Sequence, residues 1–346
     1  MTVVVTGGSG LVGSHVIADL VAAGERVRAI ARPPARDAVL RLGAEPVVGD
    51  VTDPAVWRAA LDVPGGVRGV VHAAALVAPR ARLADFIAVN VGGTRQAAVA
   101  ARAAGARLVH VSSVAVYGRA TTYAAGPGTV DESFPVAPLA PTDFYARSKR
   151  LAEDALWEET ARGLWSVALR PNVIYGERDR LFSPKVVRVV RTGVVPQVGP
   201  GTNVLSIVYA GNVAAAAVLA LDAAVPGGAA YHVTNDGALT QREFVDAFAA
   251  ALGVRVWRVR LARGPAVLAV ATATALRRVL RPGRYGGVAA GAVHFLSGDN
   301  PYRSDRAQAE LGWRPVVDPR TAIQRTVRWM MENETPGRSA RAFLPI

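Results

Sequence analysis

The chain of 346 residues carries 40 Lys and Arg against 27 Asp and Glu, a formal net charge of +13. It has no cysteine, which excludes disulfides, a thiol nucleophile and cysteine-ligated metal, and its 51% hydrophobic content is enough for a sizeable core. The five histidines follow no metal-ligand spacing, so no metal site is expected. The arginines are dispersed, and an anionic cofactor or substrate is a more economical use of the charge than nucleic acid. The missing cysteines fit a reducing compartment, so a cytoplasmic location is expected. Met1-Thr-Val-Val-Val runs straight into glycines, without the basic start and cleavage site of a signal peptide. Apolar stretches at 214–224 and 265–276 are shorter than the about 20 residues a membrane span needs. The second precedes Arg277, Arg278 and Arg281; it reads as a helix covering a pocket or as a segment touching a membrane surface.

Residues 2–6 form a short apolar β run. Gly7-Gly-Ser-Gly-Leu-Val-Gly13 follows, then an apolar helical pattern through residue 23. Strand, glycine turn and helix are the context a dinucleotide site requires. The glycines let the backbone approach a pyrophosphate, and the opening N–H groups of the helix, at Leu11, Val12 and Gly13, are offered to it. The run satisfies Gly-x-Gly-x-x-Gly at positions 8, 10 and 13 and Gly-x-x-Gly-x-x-Gly at Gly7, Gly10 and Gly13; spacing does not choose between them. Gly24 ends the helix, and 26–31 reads as the second strand. An acid about 20 residues past the glycines would take the ribose 2′-hydroxyl of NAD. Here Ala31 is followed by Arg32, room and charge for a 2′-phosphate. NADP(H) is therefore favoured and NAD(H) stays possible, against a plain reading of Arg32 as a solvated loop residue.

The alternation continues with a helix at 36–42, a strand at 46–49 closed by Asp50 and Val51, a helix at 54–61, and a strand at 69–72 closed by Ala73, Ala74 and Ala75. Small residues at the C-terminal end of a strand leave room for a flat cofactor. A long helix at 86–104 holds Asn90. A strand at 107–111, ending at Val111, runs into Ser112-Ser-Val-Ala-Val-Tyr-Gly118. The Gly- and Pro-rich loop at 119–142 is long enough to suggest a functional cover. The sixth strand, 166–170, leads into Pro171-Asn-Val-Ile-Tyr-Gly176. Beyond it the pattern is irregular, with helices expected at 182–191, 212–221, 241–252, 265–280, 307–311 and 321–331. Extended pieces fall at 206–209, 231–233 and 254–259. The expectation is an α/β chain with a Rossmann-type doubly wound parallel sheet over 1–176. A smaller C-terminal substrate-binding lobe spans 177–332, with some segments returning to the core, and a flexible tail follows at 333–346.

Tyr145-Ala-Arg-Ser-Lys149 opens the helix between the loop and the sixth strand. Residues four apart share a helix face. A phenol beside an ammonium suits proton transfer to or from a hydroxyl or carbonyl, because the positive charge favours the phenolate. An ordinary surface Tyr and a solvated Lys are the plain reading. Lysine is nearly absent, however, with only Lys149 and Lys185 in the chain. A chance Tyr-x-x-x-Lys is then expected only about 0.05 times, so the pattern stands out.

Together these residues resemble the extended short-chain dehydrogenase/reductase family. The resemblance rests on Thr6-Gly-Gly-Ser-Gly-Leu-Val-Gly13, Asp50, Asn90, Ser112-Ser-x-x-Val-Tyr-Gly118, Tyr145-x-x-x-Lys149 and Arg170-Pro-x-x-x-Tyr-Gly176, in the family's order. Val208-Tyr-Ala-Gly-Asn-Val-Ala214 and Asp305-Arg-Ala-x-x-Glu-Leu-Gly-Trp-Arg-Pro315 extend it over most of the chain. It implies Tyr145 as general acid/base, Lys149 tuning Tyr145 and holding the nicotinamide ribose, and Ser113 hydrogen-bonding the substrate oxygen. It also implies cofactor contacts at the glycine loop, Arg32, Asp50, Val51, Ala73 to Ala75, Asn90, Val111, Ser112, Pro171 and Val173. Family members often pair two helices per subunit, here 86–104 and 145–162, so a homodimer is expected.

The branch is narrowed by departures from related patterns. Sugar-nucleotide dehydratases carry Asp-Glu after the catalytic Ser or Thr, where this chain has Val114 and Ala115. Sugar-nucleotide epimerases place an Asn at the position of Val173, whereas Asn172 is displaced by one. Tyr209-Ala-Gly-Asn212 is similar to the 3β-hydroxysteroid dehydrogenase and ketoreductase branch. The resemblance therefore implies an oxidoreductase that interconverts a ketone and a secondary alcohol. Apolar segments holding Leu181, Phe182, Val194, Val195, Leu268 and Phe295 favour a hydrophobic substrate that is steroid-, polyketide- or acyl-like. An epimerase with tightly bound NAD and a non-catalytic NADP-binding sensor are the alternatives. The intact Ser113, Tyr145 and Lys149 argue against the sensor.

Overall fold

The computed structural model describes residues 2–78, 81–262, 264 and 295–333. The apolar 265–281 segment, Leu268 and the tail past Asn333 lie outside the described residues.

Seven parallel strands make the main sheet. In chain order they are β1 (Thr2–Thr6), β2 (Arg26–Ala31), β3 (Glu45–Val48), β4 (Val67–His72), β5 (Arg107–Val111), β6 (Ser166–Pro171) and, much later, β10 (Ala229–Val233). Their spatial order is β10-β6-β5-β4-β1-β2-β3. The chain lays β1, β2 and β3 side by side and then crosses back to put β4 on the other side of β1. This reversal creates the crevice at the C-terminal ends of β1 and β4 where such sheets bind ligands. Val3, Val4 and Val5 on β1 are fully buried, as expected of a strand covered on both faces.

Helices cover both faces. α1 (Leu11–Ala22) buries Val12, Val16, Ile17 and Leu20, one stripe at helical spacing, and Gly24 ends it with φ +77°. Two short helices, α2 (Arg36–Leu40) and α3 (Pro54–Leu61), follow β2 and β3; Asp53 caps α3 by accepting from Ala55 N at 2.8 Å. After β4, α4 (Leu83–Phe86) continues through a π-helical turn, Ile87–Gly92, into α5 (Gly93–Ala103). The loop expected at 119–142 contains a short helix, α6 (Arg119–Ala125). Next comes α7 (Phe144–Thr160), capped by Asp143, which accepts from Ala146 N.

The remaining elements are β7 (Val173–Tyr175), α8 (Ser183–Arg191), β8 (Val194–Val198), β9 (Ile207–Tyr209), α9 (Ala210–Asp222), α10 (Gln241–Leu252), β11 (Trp257–Leu261), α11 (Asp305–Glu310) and α12 (Pro319–Glu332). β7 pairs with β9, and β8 with β11, in two small parallel sheets. The sequence reading lacks β7 and β8. β7 is three residues long, and β8 is interrupted by Pro196, so neither offers a strand-length alternating pattern. The C-terminal half does return to the main sheet. β10 adds the seventh strand, and α9 packs its alanines, Ala214, Ala217 and Ala220, into the cluster around α1. No helix among the described residues is long and apolar enough to cross a membrane.

Candidate active site

The glycine loop joins the end of β1 to α1. Gly7 has φ +70°, and a Cβ there would lie 2.8 Å from Ala73 O. A Cβ on Gly13 would lie 2.4 Å from Gly7 O. Both obstacles are backbone, which cannot move aside. A Cβ on Gly8 would meet side chains and no backbone, the tip of Ile17 at 2.5 Å and Val39 Cγ1 at 3.0 Å. The frame of the loop is therefore Gly7, Gly10 and Gly13, the choice spacing left open. Thr6 Oγ1 accepts from Ala74 N at 3.0 Å and pairs with His72 Nδ1 at 2.9 Å, so Ala73, Ala74 and Ala75 are fastened beside the glycines. α1 has neither a side-chain cap nor an acid in its first turn, which suits its N–H groups at Leu11 and Val12 to an anion. A close-approach backbone cradle and an uncapped helix start fit the pyrophosphate of a dinucleotide.

The other expected cofactor residues are placed along the same edge. Arg32 follows β2 and is exposed. Gly49 N bonds Ala31 O at 3.0 Å, which brings Asp50 alongside that strand end. Asp50 Oδ1 accepts from Thr52 N and Oγ1, and Val51 O accepts from Trp57 Nε1 at 2.7 Å. Asn90 sits in the π-helical turn, and its side chain is held by protein. Oδ1 accepts from Leu76 N at 2.6 Å, and Nδ2 donates to Leu76 O and to Ser148 Oγ at 2.9 Å. Asn90 thus ties the segment after β4 to α7.

α7 turns one stripe inward: Ala146, Lys149, Ala152, Glu153 and Leu156. Lys149 and Glu153 are charged residues at core positions on that stripe, and Glu159 is a third buried charge further along the helix. Lys149 is buried, and its Nζ donates to Val111 O at 2.8 Å. Burial pulls the ammonium pKa down to about 8, against the opposing pull of Glu153. Tyr145, one turn earlier, is half-buried with its ring edge-to-face on Phe86, centroids 6.5 Å apart. The carbonyl holding Lys149 thus belongs to the residue just before Ser112 and Ser113. Ser113 Oγ accepts from Ala115 N at 3.2 Å, so the turn chemistry expected of a Ser pair is present at this residue. Ser112 Oγ instead donates to Glu153 Oε1 at 2.5 Å.

Glu153 leads to a buried polar chain that sequence reasoning missed. Arg170 grips it with two bonds, Nε to Oε1 at 3.0 Å and Nη2 to Oε2 at 2.6 Å. Arg170 Nη1 donates to Tyr117 Oη at 2.5 Å, and Tyr117 Oη lies 2.9 Å from His232 Nε2. His232 Nδ1 is 3.0 Å from Arg303 O, which only accepts, so Nδ1 carries the proton and Nε2 accepts from Tyr117. Burial, aided by Arg170, pushes the His232 pKa down to about 4, which keeps this neutral tautomer. Below Lys149, His72 and His110 stack at 5.6 Å. Burial first and Lys149 second push His72 down to about 3 and His110 well below its usual value. The signal for Glu153 was its place on the inward stripe; that for Arg170 was its position at the end of a buried strand.

A cleft of about 20 Å³, room for one water, opens beside Ser113. Tyr123, Asn172, Ser206 and Tyr302 give it polar walls with Ser113, and Val114, Val173 and Phe295 supply carbon. This differs from the apolar lining expected from sequence. Of the residues named for it, Phe295 lines the cleft. Phe182 and Val195 pack into a core with Phe244 and Phe248, while Leu181 and Val194 are exposed. Among the described residues of the C-terminal half, Phe182, Val195, Phe244 and Phe248 pack on one another. From the 119–142 segment, Tyr123 lines the cleft, Glu132 Oε1 accepts from His232 N at 2.6 Å, and Ala137 O accepts from Arg150 Nη2 at 2.8 Å.

The chain is similar to known proteins over most of its length. The pattern described as NAD dependent epimerase/dehydratase family matches residues 3–234. A 4-hydroxy-2-methyl-3-oxo-4-farnesyl-3,4-dihydroquinoline-1-oxide ketoreductase of Stigmatella aurantiaca is 32% identical over 317 residues, covering 90% of this chain and 92% of the relative. A 3 beta-hydroxysteroid dehydrogenase/Delta 5→4-isomerase of Mycobacterium tuberculosis is 31% identical over 345 residues, 93% and 88% of the two chains. Among solved structures, the UDP-glucose 4-epimerase of Thermus thermophilus in complex with NAD superposes with a TM-score of 0.66 at 27% identity, over 96% of this chain and 100% of the other. The chain belongs to the NAD dependent epimerase/dehydratase family and is an NAD(P)-dependent oxidoreductase of the extended short-chain dehydrogenase/reductase type.

Proposed function

We propose that the protein interconverts a ketone and a secondary alcohol on a hydrophobic substrate, with NADP(H) as the preferred nucleotide. One observation carries the reading: the buried Lys149 cation, one turn from Tyr145, is anchored on the carbonyl that precedes Ser112 and Ser113. The glycine loop, the N-terminus of α1, Asp50 and Ala73 to Ala75 would hold the nucleotide, with Arg32 at a 2′-phosphate. When bound, the nucleotide supplies or accepts the hydride.

The rest of the work falls to the chain. Ser113 Oγ donates to the substrate oxygen and orients it towards Tyr145. Tyr145 Oη delivers the proton in reduction and takes it in oxidation. The Lys149 cation stabilises the phenolate that delivery leaves behind. Val114 and Ala115 are buried and carry no acid for dehydration. The ketoreductase relative acts on a farnesylated ring ketone, which supports a hydrophobic substrate. Epimerisation is the second reading, favoured by the solved epimerase that covers nearly the whole chain.

Denaturing the purified protein and identifying the nucleotide released separates the two readings. An empty site, or one carrying NADP, fits an exchanging reductase; near-stoichiometric NAD would favour the epimerase. NADPH consumption with hydrophobic ketones then tests the chemistry. Arg32→Ala should raise KM for NADPH about 10- to 100-fold and leave KM for NADH nearly unchanged, because a charge-assisted bond to phosphate is lost. Equal effects on both nucleotides would remove Arg32 from the 2′-phosphate site.

The buried ammonium also sets an alkaline limit. Lys149 is cationic below its pKa of about 8 and neutral above it. The kcat/KM for NADPH should therefore hold below that pH and fall about tenfold per unit above it. A profile flat to pH 10 would contradict the role of the cation.

A further inference from the structure

We propose that Asn172 is a specificity residue whose side-chain carbonyl accepts a hydrogen bond from a hydroxyl on the substrate, close to the reacting carbonyl; this rests on the ketone reading above. Asn172 links β6 to β7 and is 7% exposed. Its amide nitrogen is fully used. Nδ2 donates to Ser206 Oγ at 3.1 Å and to Asn235 Oδ1 at 2.7 Å. These partners come from separate parts of the chain, ahead of β9 and after β10, so the amide is fixed from two sides.

Asn235 holds its position at φ +63°, a left-handed backbone that Asn tolerates better than other side chains apart from Gly. With both amide hydrogens taken, Oδ1 is the one polar atom of the side chain left to bond. It is buried and has no hydrogen-bond partner among the described residues. Folded proteins leave few buried acceptors in that state, and those that remain call for an explanation. Here the residue lines the cleft it shares with Ser113. The cleft has room for one water, so a ligand that places its carbonyl oxygen on Ser113 has to widen it beside Asn172, and a hydroxyl there then satisfies Oδ1. A ligand with only an ether or a methylene at that point leaves the acceptor dry and unpaired.

The test uses the intact enzyme, NADPH and matched pairs of ketones: 1-hydroxy-2-octanone against 1-methoxy-2-octanone, and 4-hydroxy-2-octanone against 4-methoxy-2-octanone. The methoxy member keeps the oxygen and loses the donor. In at least one pair kcat/KM should favour the hydroxy ketone by about 10- to 100-fold. Asn172→Leu should reduce that preference to about threefold or less with NADPH affinity unchanged. Ratios near one in both pairs on the unaltered enzyme would overturn the proposal without any variant that has to fold. So would a ratio that survives Asn172→Leu, or an equal loss of NADPH affinity, which would give Oδ1 to the cofactor.

If no ketone is turned over, calorimetric binding of the same pairs to the enzyme with NADP decides. Tighter binding of a hydroxy member would keep the role of Asn172 and sink the reductase reading; equal binding, or none, would sink the role.

Discussion

Tyr145→Phe should lower kcat/KM for ketone reduction by about 100- to 10,000-fold while nucleotide affinity stays within about twofold. The substitution removes one oxygen. The ring stays edge-to-face on Phe86, and Lys149 keeps its bond to Val111 O. What is lost is the hydroxyl proposed to give the substrate oxygen its proton. Stopped-flow single turnover with saturating NADPH separates that loss from slow product release. If the Phe variant retains more than about a tenth of the activity, water or another group carries the proton and the assignment of Tyr145 falls. The Lys149 profile gives a check from the other side, since loss of the cation and loss of the phenol should both appear in the chemical step.

Glu153→Gln should destabilise the fold by about 3–5 kcal/mol, because it leaves a buried guanidinium without its counter-charge. Glu153 and Arg170 have side chains only 5% and 10% exposed. Burial works against the charge on Arg170, yet the bonds from Glu153 and Tyr117 carry its pKa above the ordinary value, so it stays cationic at any working pH. Ser112 also donates to the carboxylate, so the change disturbs the strand end that leads to Ser113. Urea unfolding measures the effect, and the double variant Glu153→Met with Arg170→Met should recover most of the loss. A single variant as stable as the parent would show that the Arg170 charge is offset elsewhere. There is a second readout. Glu153 raises the Lys149 pKa, so removing its charge should move the alkaline fall in activity to lower pH.

The residues that stand next to each other in sequence were legible without a fold. The glycine loop, the Tyr145 to Lys149 spacing and the alternation of strands and helices through residue 171 are local patterns. Local patterns record backbone needs and one-sided burial. They fix the parallel sheet, because each strand is followed by a helix that must cross over it. The return of α9 and β10 to the core was less legible, since nothing in their periodicity says which sheet edge they cover.

The choice among the glycines was decided by a contact of Gly7 with Ala73, 66 positions away. The chain of Ser112, Glu153, Arg170, Tyr117 and His232 assembles five residues from four separate stretches. In sequence each reads as a common polar side chain. Only burial makes them costly apart and favourable together. The same holds for Asn172. Its neighbours in sequence say nothing of its carbonyl; Ser206 and Asn235 take its nitrogen and leave the oxygen without a partner among the described residues. Sequence alone determined the family's scaffold and the spacing of Tyr145 and Lys149 on one helix face. Tertiary structure decided which polar groups are buried, which are paired, and which are left facing the cleft, because those depend on partners distant in the chain.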